Sequence, residues 1–231
     1  MASENILPLT GIRGIIAQKM SESLQKTAQL SFFCDIDASA LVAARNSWKA
    51  ADTKLGYEDL IIAALTSILR DFPLFNAVET ERGVEPQEQI HVGCAIALPG
   101  ALVAPAIFDA GNLSLPDIAE RRADLVARAR VNKLTIAELT GATVTVTNLG
   151  LTRVEHFTPI LSYPQQAIIG LGRMTAKPWV AEDGETIVVR PVMGLSLTVD
   201  HRIIDGAPAG DFLTRLAQEL ESGSAFSPPT I

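Results

Sequence analysis

The strongest limit on the fold of this chain comes from the order in which its patterned segments follow one another. Residues 10–26 place Ile12, Ile15, Ile16, Met20 and Leu24 at helical spacing, with Thr10 expected to cap the start. LSFFCDID at 30–37 predicts a strand, and Ser39 is expected to cap a helix through Trp48. Residues 58–70 predict a helix burying Leu60, Ile61, Ala64, Leu65, Ile68 and Leu69, ended by Phe72-Pro73. Two apolar strands follow at 90–98 and 101–107, joined tightly at Pro99-Gly100. Ser114 with Asp117, and Thr135 with Glu138, are capping-box pairs. The first opens a helix to about Arg130, and the second opens a shorter one that Gly141 closes. Then come a β-branched strand, ATVTVTN at 142–148, and strands at 166–171 and 186–200 with a turn at Asp183-Gly184. A last helix spans about 208–221, with Pro208 near its first turn. Strand and helix do not alternate regularly, so the expected fold is α/β with a mixed sheet and helices packed mainly on one face. The expectation is a single domain over 1–231, with its core at about 9–221 and loose ends at 1–8 and 222–231.

Composition narrows the function. The chain has 231 residues, 48% hydrophobic but only 5% aromatic, so its core is built from Ala, Val, Leu and Ile. A net charge of -7 argues against nucleic acid and against an anionic membrane surface as partners. The first residues show no secretory pattern, and no apolar run reaches the ~18 residues a membrane span needs. These features point to the cytoplasm. Cys34 and Cys94 each sit in an apolar run without a CxxC partner, as buried free thiols do. No GxGxxG or GxxxxGK[ST] loop is present, which removes the nucleotide folds that need one. No GxSxG elbow is present for a hydrolase serine.

Of the three histidines, His91 opens an apolar strand and His156 lies in a polar loop, both places for structural or surface side chains. His201 differs. It ends a long strand and precedes a turn into a helix, where rigid scaffolds expose reactive groups. Asp205 follows four residues later, and Gly206 would let the backbone turn sharply. A neutral imidazole takes a proton near neutral pH, and a carboxylate can orient its other nitrogen or hold the turn through an arginine. As a metal site, Asp200, His201 and Asp205 lack a second His or Cys, so no metal is expected.

VDHRIIDGAPAGDFL, around His201, resembles the active-site signature of the dihydrolipoamide acyltransferases, the core subunits of 2-oxoacid dehydrogenase complexes. Further segments resemble that family in the same order: GIRGIIAQKMSESLQKTAQL, HVGCAIALPGALVAPAI, DIAERRADLVARARVNKLTIAELTGATVTVTNLG and YPQQAIIGLGRMTAKPWV. The likeness covers roughly residues 9–221. It implies a chloramphenicol acetyltransferase-like two-layer sandwich. It also implies transfer of an acyl group between dihydrolipoamide on a lipoyl carrier domain and coenzyme A.

By this resemblance, His201 matches the general base that deprotonates the coenzyme A thiol. Thr147 matches the Ser or Thr hydroxyl that donates a hydrogen bond to the tetrahedral oxyanion. Asp205 matches the signature aspartate, with a structural role through an ion pair for which Arg13 is the candidate partner. Arg13, Lys19 and Arg153 are candidates for the coenzyme A phosphates. The family works as trimers, so His201 of one chain is expected to meet Thr147 of the next, and trimers can build 24-mer or 60-mer cores. The implied partners are coenzyme A, a lipoylated carrier domain, and the decarboxylase and dihydrolipoamide dehydrogenase components.

The chain also departs from the family. No lipoyl or peripheral-subunit-binding domain is seen in the sequence, so the lipoyl group would come from another chain or a missing N-terminal part. Arg153 stands where many relatives have glycine, Ser162-Tyr163 where they have Asn-Pro, and SAFSPPTI where they have a leucine-rich tail. These leave open the acyl group and the assembly beyond a trimer. Two other readings compete: a stand-alone coenzyme A-dependent transferase for another small acceptor, and a non-catalytic assembly scaffold. A peptide-synthesis condensation domain would need two adjacent histidines.

Overall fold

The β-branched and apolar runs assemble into one six-stranded sheet. A computed structural model describes residues 9–181 and 183–226; the expectations for 1–8 and 227–231 lie outside them. The sheet order is β1 (Gln29–Asp37), β10 (Ile187–Asp200), β9 (Ala167–Val180), β8 (Val144–Asn148), β4 (Val92–Cys94) and β7 (Ala106–Ile107). β8 runs parallel to both β9 and β4, and the other neighbours are antiparallel, which makes the sheet mixed. Two small ladders lie outside it: β2 (Ala77–Thr80) with β3 (Gly83–Pro86), and β5 (Ile96–Leu98) with β6 (Ala101–Val103).

Side-chain alternation gives the two faces different characters. Val144, Val146, Ile169, Leu171, Leu195, Leu197 and Val199 point into the buried apolar core. There they meet Leu41 and Trp48 of α2 (Ser39–Ala50), Leu60–Leu65 of α3 (Tyr57–Ile68) and Phe212, Leu213 and Leu216 of α6 (Gly206–Ser222). Phe75 and Phe212 stack at 4.1 Å between centroids at the centre of this layer. α4 (Leu115–Arg130) closes the layer with Ile118 and Leu125. It is tied to α3 by Arg122, which pairs with the buried Asp59. Asp59 also accepts from the Gly56 N–H, so one carboxylate both caps α3 and joins two helices. α5 (Ile136–Thr140) has the expected capping box.

The opposite face carries Thr145, Thr147, Ser196, Thr198, Asp200 and, on β1, Ser31. Residues 149–166, without helix or strand, cross over it. α1 (Gly11–Lys26) is fixed at its C-terminal end, where Ser23 Oγ donates to the Leu161 carbonyl at 2.6 Å. Its Ile15 and Leu24 remain 58% and 53% exposed among the described residues.

Several expectations change. Thr10 and Ser39 make no capping bond, and α2 starts at Ser39 itself. The segments at 90–98 and 101–107 are four short strands rather than two, because the chain bends off the main sheet after Cys94. The strand expected at 166–171 runs on to Val180, and the hairpin of β2 and β3 was not anticipated. Residues 222–226 are packed rather than loose: Phe226 is buried, and its carbonyl accepts from Trp48 Nε1 at 2.7 Å. Gly206 is not in the left-handed region, and a methyl group there would meet nothing, so the turn does not need glycine within this chain.

Candidate active site

His201 sits where β10 leaves the sheet. Its backbone N–H donates to the Ala28 carbonyl at 2.8 Å, and residues 201–204 form a turn closed by the Ile203 and Ile204 N–H groups on the Asp200 carbonyl. Ile204 is fully buried and anchors the turn in the core. The imidazole is 42% exposed and opens to solvent.

The turn is held mainly by Asp200, which sequence reading weighed only as a metal ligand. Its buried carboxylate accepts from the Ala28 N–H at 3.1 Å, the Arg202 N–H at 3.0 Å and the Arg202 guanidinium at 2.6 to 3.1 Å. Burial alone would raise this carboxyl. The bonds from Arg202 and from the Ala28 N–H outweigh it and hold the group below the ordinary carboxylate range. Arg202 continues to Glu79, where Nη2 donates to Oε2 at 2.6 Å. The triplet Asp-His-Arg was the available signal: alternation buries Asp200 and brings Arg202 back over it. Nothing local could have named Glu79, 123 residues away.

Asp205 precedes α6 at its N-cap without a side-chain capping bond. Its Oδ1 lies 3.7 Å from His201 Nδ1, beyond hydrogen-bond length. Among the described residues Arg13 forms no ion pair with Asp205. Arg13 is an exposed residue of the first turn of α1, and the ionisable neighbour of Asp205 among the described residues is His201. Among the described residues no His, Cys, Asp and Glu cluster is suited to a metal.

Thr147 lies on β8, two strands from β10. The register runs Thr147, Gly170, Ser196, Phe33 across the sheet, and His201 stands five positions beyond Ser196. At ~4.8 Å between strands and ~3.3 Å per residue, Thr147 and His201 of one chain are roughly 19 Å apart. Thr147 is half-buried on the polar face. Phe157 of the crossing segment covers neighbouring Gly170, and its N–H donates to Ser196 Oγ at 3.3 Å. Beyond Thr147, Asn148 Oδ1 accepts from the Gly150 N–H at 2.7 Å while its amide reaches Glu58 at 3.3 Å. Burial raises the Glu58 carboxyl despite the opposing pull of Arg122 and Asn148.

The other two histidines each meet a neighbouring group. His91 Nδ1 accepts from the Asp109 N–H at 3.0 Å, and His156 Nε2 lies 2.9 Å from Asp35 Oδ1. Lys19 and Arg153 are exposed and make no ion pair among the described residues. The two thiols are free, as expected: Cys94 is buried and Cys34 partly so.

The arrangement is an exposed imidazole on a rigid turn, with a hydroxyl held separately on the sheet. Comparison with known proteins gives it a context. Curated relatives include the dihydrolipoyllysine-residue acetyltransferase component of the acetoin cleaving system of Bacillus subtilis. It is 36% identical over 225 residues, covering 95% of this chain and 56% of that protein. The corresponding pyruvate dehydrogenase complex component of Mycobacterium tuberculosis is 40% identical over 223 residues, covering 92% and 40%. A succinyltransferase component of the Haemophilus influenzae 2-oxoglutarate dehydrogenase complex is 32% identical over 224 residues, covering 95% and 54%. The chain thus spans about half the length of the curated relatives it matches. The dihydrolipoamide acetyltransferase of Azotobacter vinelandii superposes with a TM-score of 0.91 at 31% identity, over 97% of this chain and 94% of that one. A chloramphenicol acetyltransferase shares the fold at a TM-score of 0.55 and 16% identity, over 89% and 93%. A family model described as 2-oxoacid dehydrogenases acyltransferase (catalytic domain) matches residues 1–226, a span that holds both the His201 turn and the Thr147 strand, and the chain belongs to that family.

Proposed function

We propose that this chain transfers an acyl group between a dihydrolipoyl group on a carrier domain and coenzyme A, at a site completed by two copies of the chain. The carrying observation is the register, which puts Thr147 and His201 two strands and five positions apart within one chain; ideal strand spacings make that roughly 19 Å, too far for one reacting centre to meet both. Bringing the hydroxyl to the imidazole needs a second copy of the chain. In the Azotobacter vinelandii acetyltransferase, a serine, a histidine and an asparagine four positions after the histidine have been investigated for their part in catalysis. His201 and Asp205 have that spacing, with aspartate in the last place.

In this reading His201 takes the proton from the coenzyme A thiol, since the thiolate is the nucleophile. The sulfur attacks the thioester carbonyl of the acylated dihydrolipoyl group. Thr147 of the neighbouring copy donates to the oxyanion of the tetrahedral intermediate. Collapse expels the dihydrolipoyl sulfur, which recovers the proton from His201. Asp205 steadies the imidazolium in between. The carrier comes from another chain or from further sequence of the same protein. The copies form a trimer in the cytoplasm, working with decarboxylase and dihydrolipoamide dehydrogenase components. Among the described residues no helix is long and apolar enough to cross a membrane.

The test mixes two inactive variants. His201→Ala alone is expected to lose at least ~100-fold in turnover, the low end for positioned acid–base catalysis. Thr147→Val alone is also expected to be impaired. Co-assembled at equal amounts, about a quarter of the interfaces would hold an intact imidazole and an intact hydroxyl, and that share of activity should return. The assay uses free dihydrolipoamide with acetyl-, succinyl-, propionyl- and isobutyryl-CoA. No recovery on mixing would rule out the shared site, and no transfer by the wild type to dihydrolipoamide from any of them would rule out the activity.

A further inference from the structure

The β2–β3 hairpin lies outside the sheet and carries no residue of the catalytic constellation, yet it touches the catalytic turn. Glu79 Oε2 accepts from Arg202 Nη2 at 2.6 Å. The same Nη2 donates to Asp200 Oδ2 at 2.6 Å, and Arg202 Nε reaches both Asp200 oxygens. Arg202 is therefore gripped from two sides, by a buried carboxylate beneath it and by a half-buried one above. The hairpin is itself fastened to the end of the crossing segment. The Glu79 N–H donates to the Pro164 carbonyl at 2.9 Å, and Val78 bridges to Gln165. Gln165 and Gln166 lead back to both halves of the site. Gln165 Oε1 accepts from Thr145 Oγ1 on β8, and the Gln166 carbonyl accepts from the Asp200 N–H.

We infer that Glu79 is a positioning residue for acyl transfer: through Arg202 and Asp200 it fixes the turn that presents His201. The inference rests on His201 being the base, as argued above. The physical reason is the shape of the network. Asp200 alone leaves one side of the Arg202 guanidinium to water, on an exposed turn whose neighbour is the reactive imidazole. A second carboxylate, delivered by a separately anchored hairpin, removes that freedom. A paired guanidinium between two fixed carboxylates has one geometry, whereas a singly paired one has several. Displacement of a catalytic group by about 1 Å can cost on the order of 100-fold, so even a partial loosening is visible in turnover.

The test compares Glu79→Ala, Glu79→Gln and, on the same hairpin, Glu85→Ala. Glu85 pairs with Arg82 and Thr80 and faces no part of the turn, so it controls for damage to the hairpin itself. Glu79→Ala is expected to lower kcat about 10-fold with the KM for coenzyme A changed by less than about 2-fold. Glu79→Gln, which keeps an acceptor for Arg202, should recover most of the loss, and Glu85→Ala should match the wild type. Amide hydrogen exchange, which does not depend on activity, should show His201 through Ile204 exchanging faster in Glu79→Ala while the centre of β10 stays protected. Unchanged exchange in the turn overturns the inference whatever the kinetics. Faster exchange with unchanged kcat in an active enzyme also overturns it, since the turn would then be loosened without consequence. A wild type inactive toward dihydrolipoamide with the exchange effect intact would instead count against the proposed reaction.

Discussion

Thr147 and His201 lie two strands and five residue positions apart within one chain. Thr147 shares a row of the sheet with Gly170 and Ser196, and His201 stands five positions past Ser196 on a turn beyond the end of β10. In the proposed reaction the hydroxyl and the imidazole therefore make separable contributions. Thr147→Val keeps the β-branched shape of a half-buried strand residue and removes one donor. It is expected to cut kcat by about 100- to 1,000-fold, the usual cost of one oxyanion donor. The KM for coenzyme A should hardly move, because that bond forms only in the transition state. Steady-state kinetics at varied coenzyme A decides it. An equal rise in KM would make Thr147 a packing residue.

Asp200 links stability to pH at the same turn. Its carboxyl is held below the ordinary range in the folded chain by Arg202 and the Ala28 N–H, against the opposing effect of burial. A depressed folded-state pKa stabilises above the unfolded value of about 3.9 and is lost as pH falls through the folded value. Thermal unfolding followed from about pH 6 down to about pH 3 should show Tm falling at the acid end. Asp200→Asn should cost about 1–3 kcal/mol at neutral pH by leaving bonds of a buried group unmade. Its deficit relative to wild type should shrink as the pH drops below about 4. Part of the acid sensitivity will persist in the variant, since Arg128 and the Thr135 backbone hold the Glu138 carboxyl at about 2. A deficit independent of pH would mean that Asp200 acts by shape and not by charge.

The helix-facing half of this fold was legible because local rules decide it. The apolar spacing of 58–70 and the capping pairs Ser114–Asp117 and Thr135–Glu138 each gave a helix within a residue or two of its observed bounds. The other face was not legible. Its strands carry Thr145, Ser196 and Thr198, polar side chains that are nonetheless buried. What buries them is partly the crossing segment 149–166, whose course follows from bonds such as Thr145 Oγ1 to Gln165 Oε1 rather than from any local pattern. The site divides in the same way. His201, Thr147 and Asp205 came from a resemblance of motifs, with strand-end position the one local hint. Spacing carries no information on where a helix start docks, so it could not decide the pairing of Arg13 with Asp205. Glu79 and the bracing role of Asp200 depend on contacts across more than a hundred residues.

The thiols offer a check on the electrostatics of β1. Burial, with the nearby charges of Glu221 and Asp35, pushes the Cys34 thiol up to about 11. At pH 8 about one molecule in a thousand would carry the thiolate that reacts. Iodoacetamide labelling followed by mass spectrometry should be on the order of 100-fold slower than for a free cysteine peptide, and should accelerate steadily toward pH 11. Cys94, buried and pushed up further, should stay unlabelled until the chain unfolds. Rapid modification of Cys34 at pH 7.5 would show that β1 is open in solution.

Gly172 tests whether the crossing segment matters to function beyond covering the sheet. At the irregular pairing of β9 with β10 between Met193 and Leu195, the Glu155 carbonyl lies directly over Gly172 and Gly194. A methyl group on either glycine would occupy the position of that carbonyl oxygen. The approach is fixed from both sides, since the Arg173 N–H donates to the Val154 carbonyl at 2.8 Å and the Leu149 N–H to the Leu171 carbonyl at 2.9 Å. Gly172→Ala must therefore lift residues 149–157 away from the sheet, and these residues lead directly out of the Thr147 strand. The helix-facing core is untouched, so the stability cost should stay near the 1–3 kcal/mol usual for local overpacking. The loss of turnover should be larger in proportion, at least about 10-fold, if Thr147 has its proposed role, because its hydroxyl would be displaced. Denaturant unfolding and kinetics on the same preparation compare the two effects. A variant destabilised by several kcal/mol but fully active when folded would show that segment 149–157 serves only as a cover, and that Thr147 keeps its place through β8 alone.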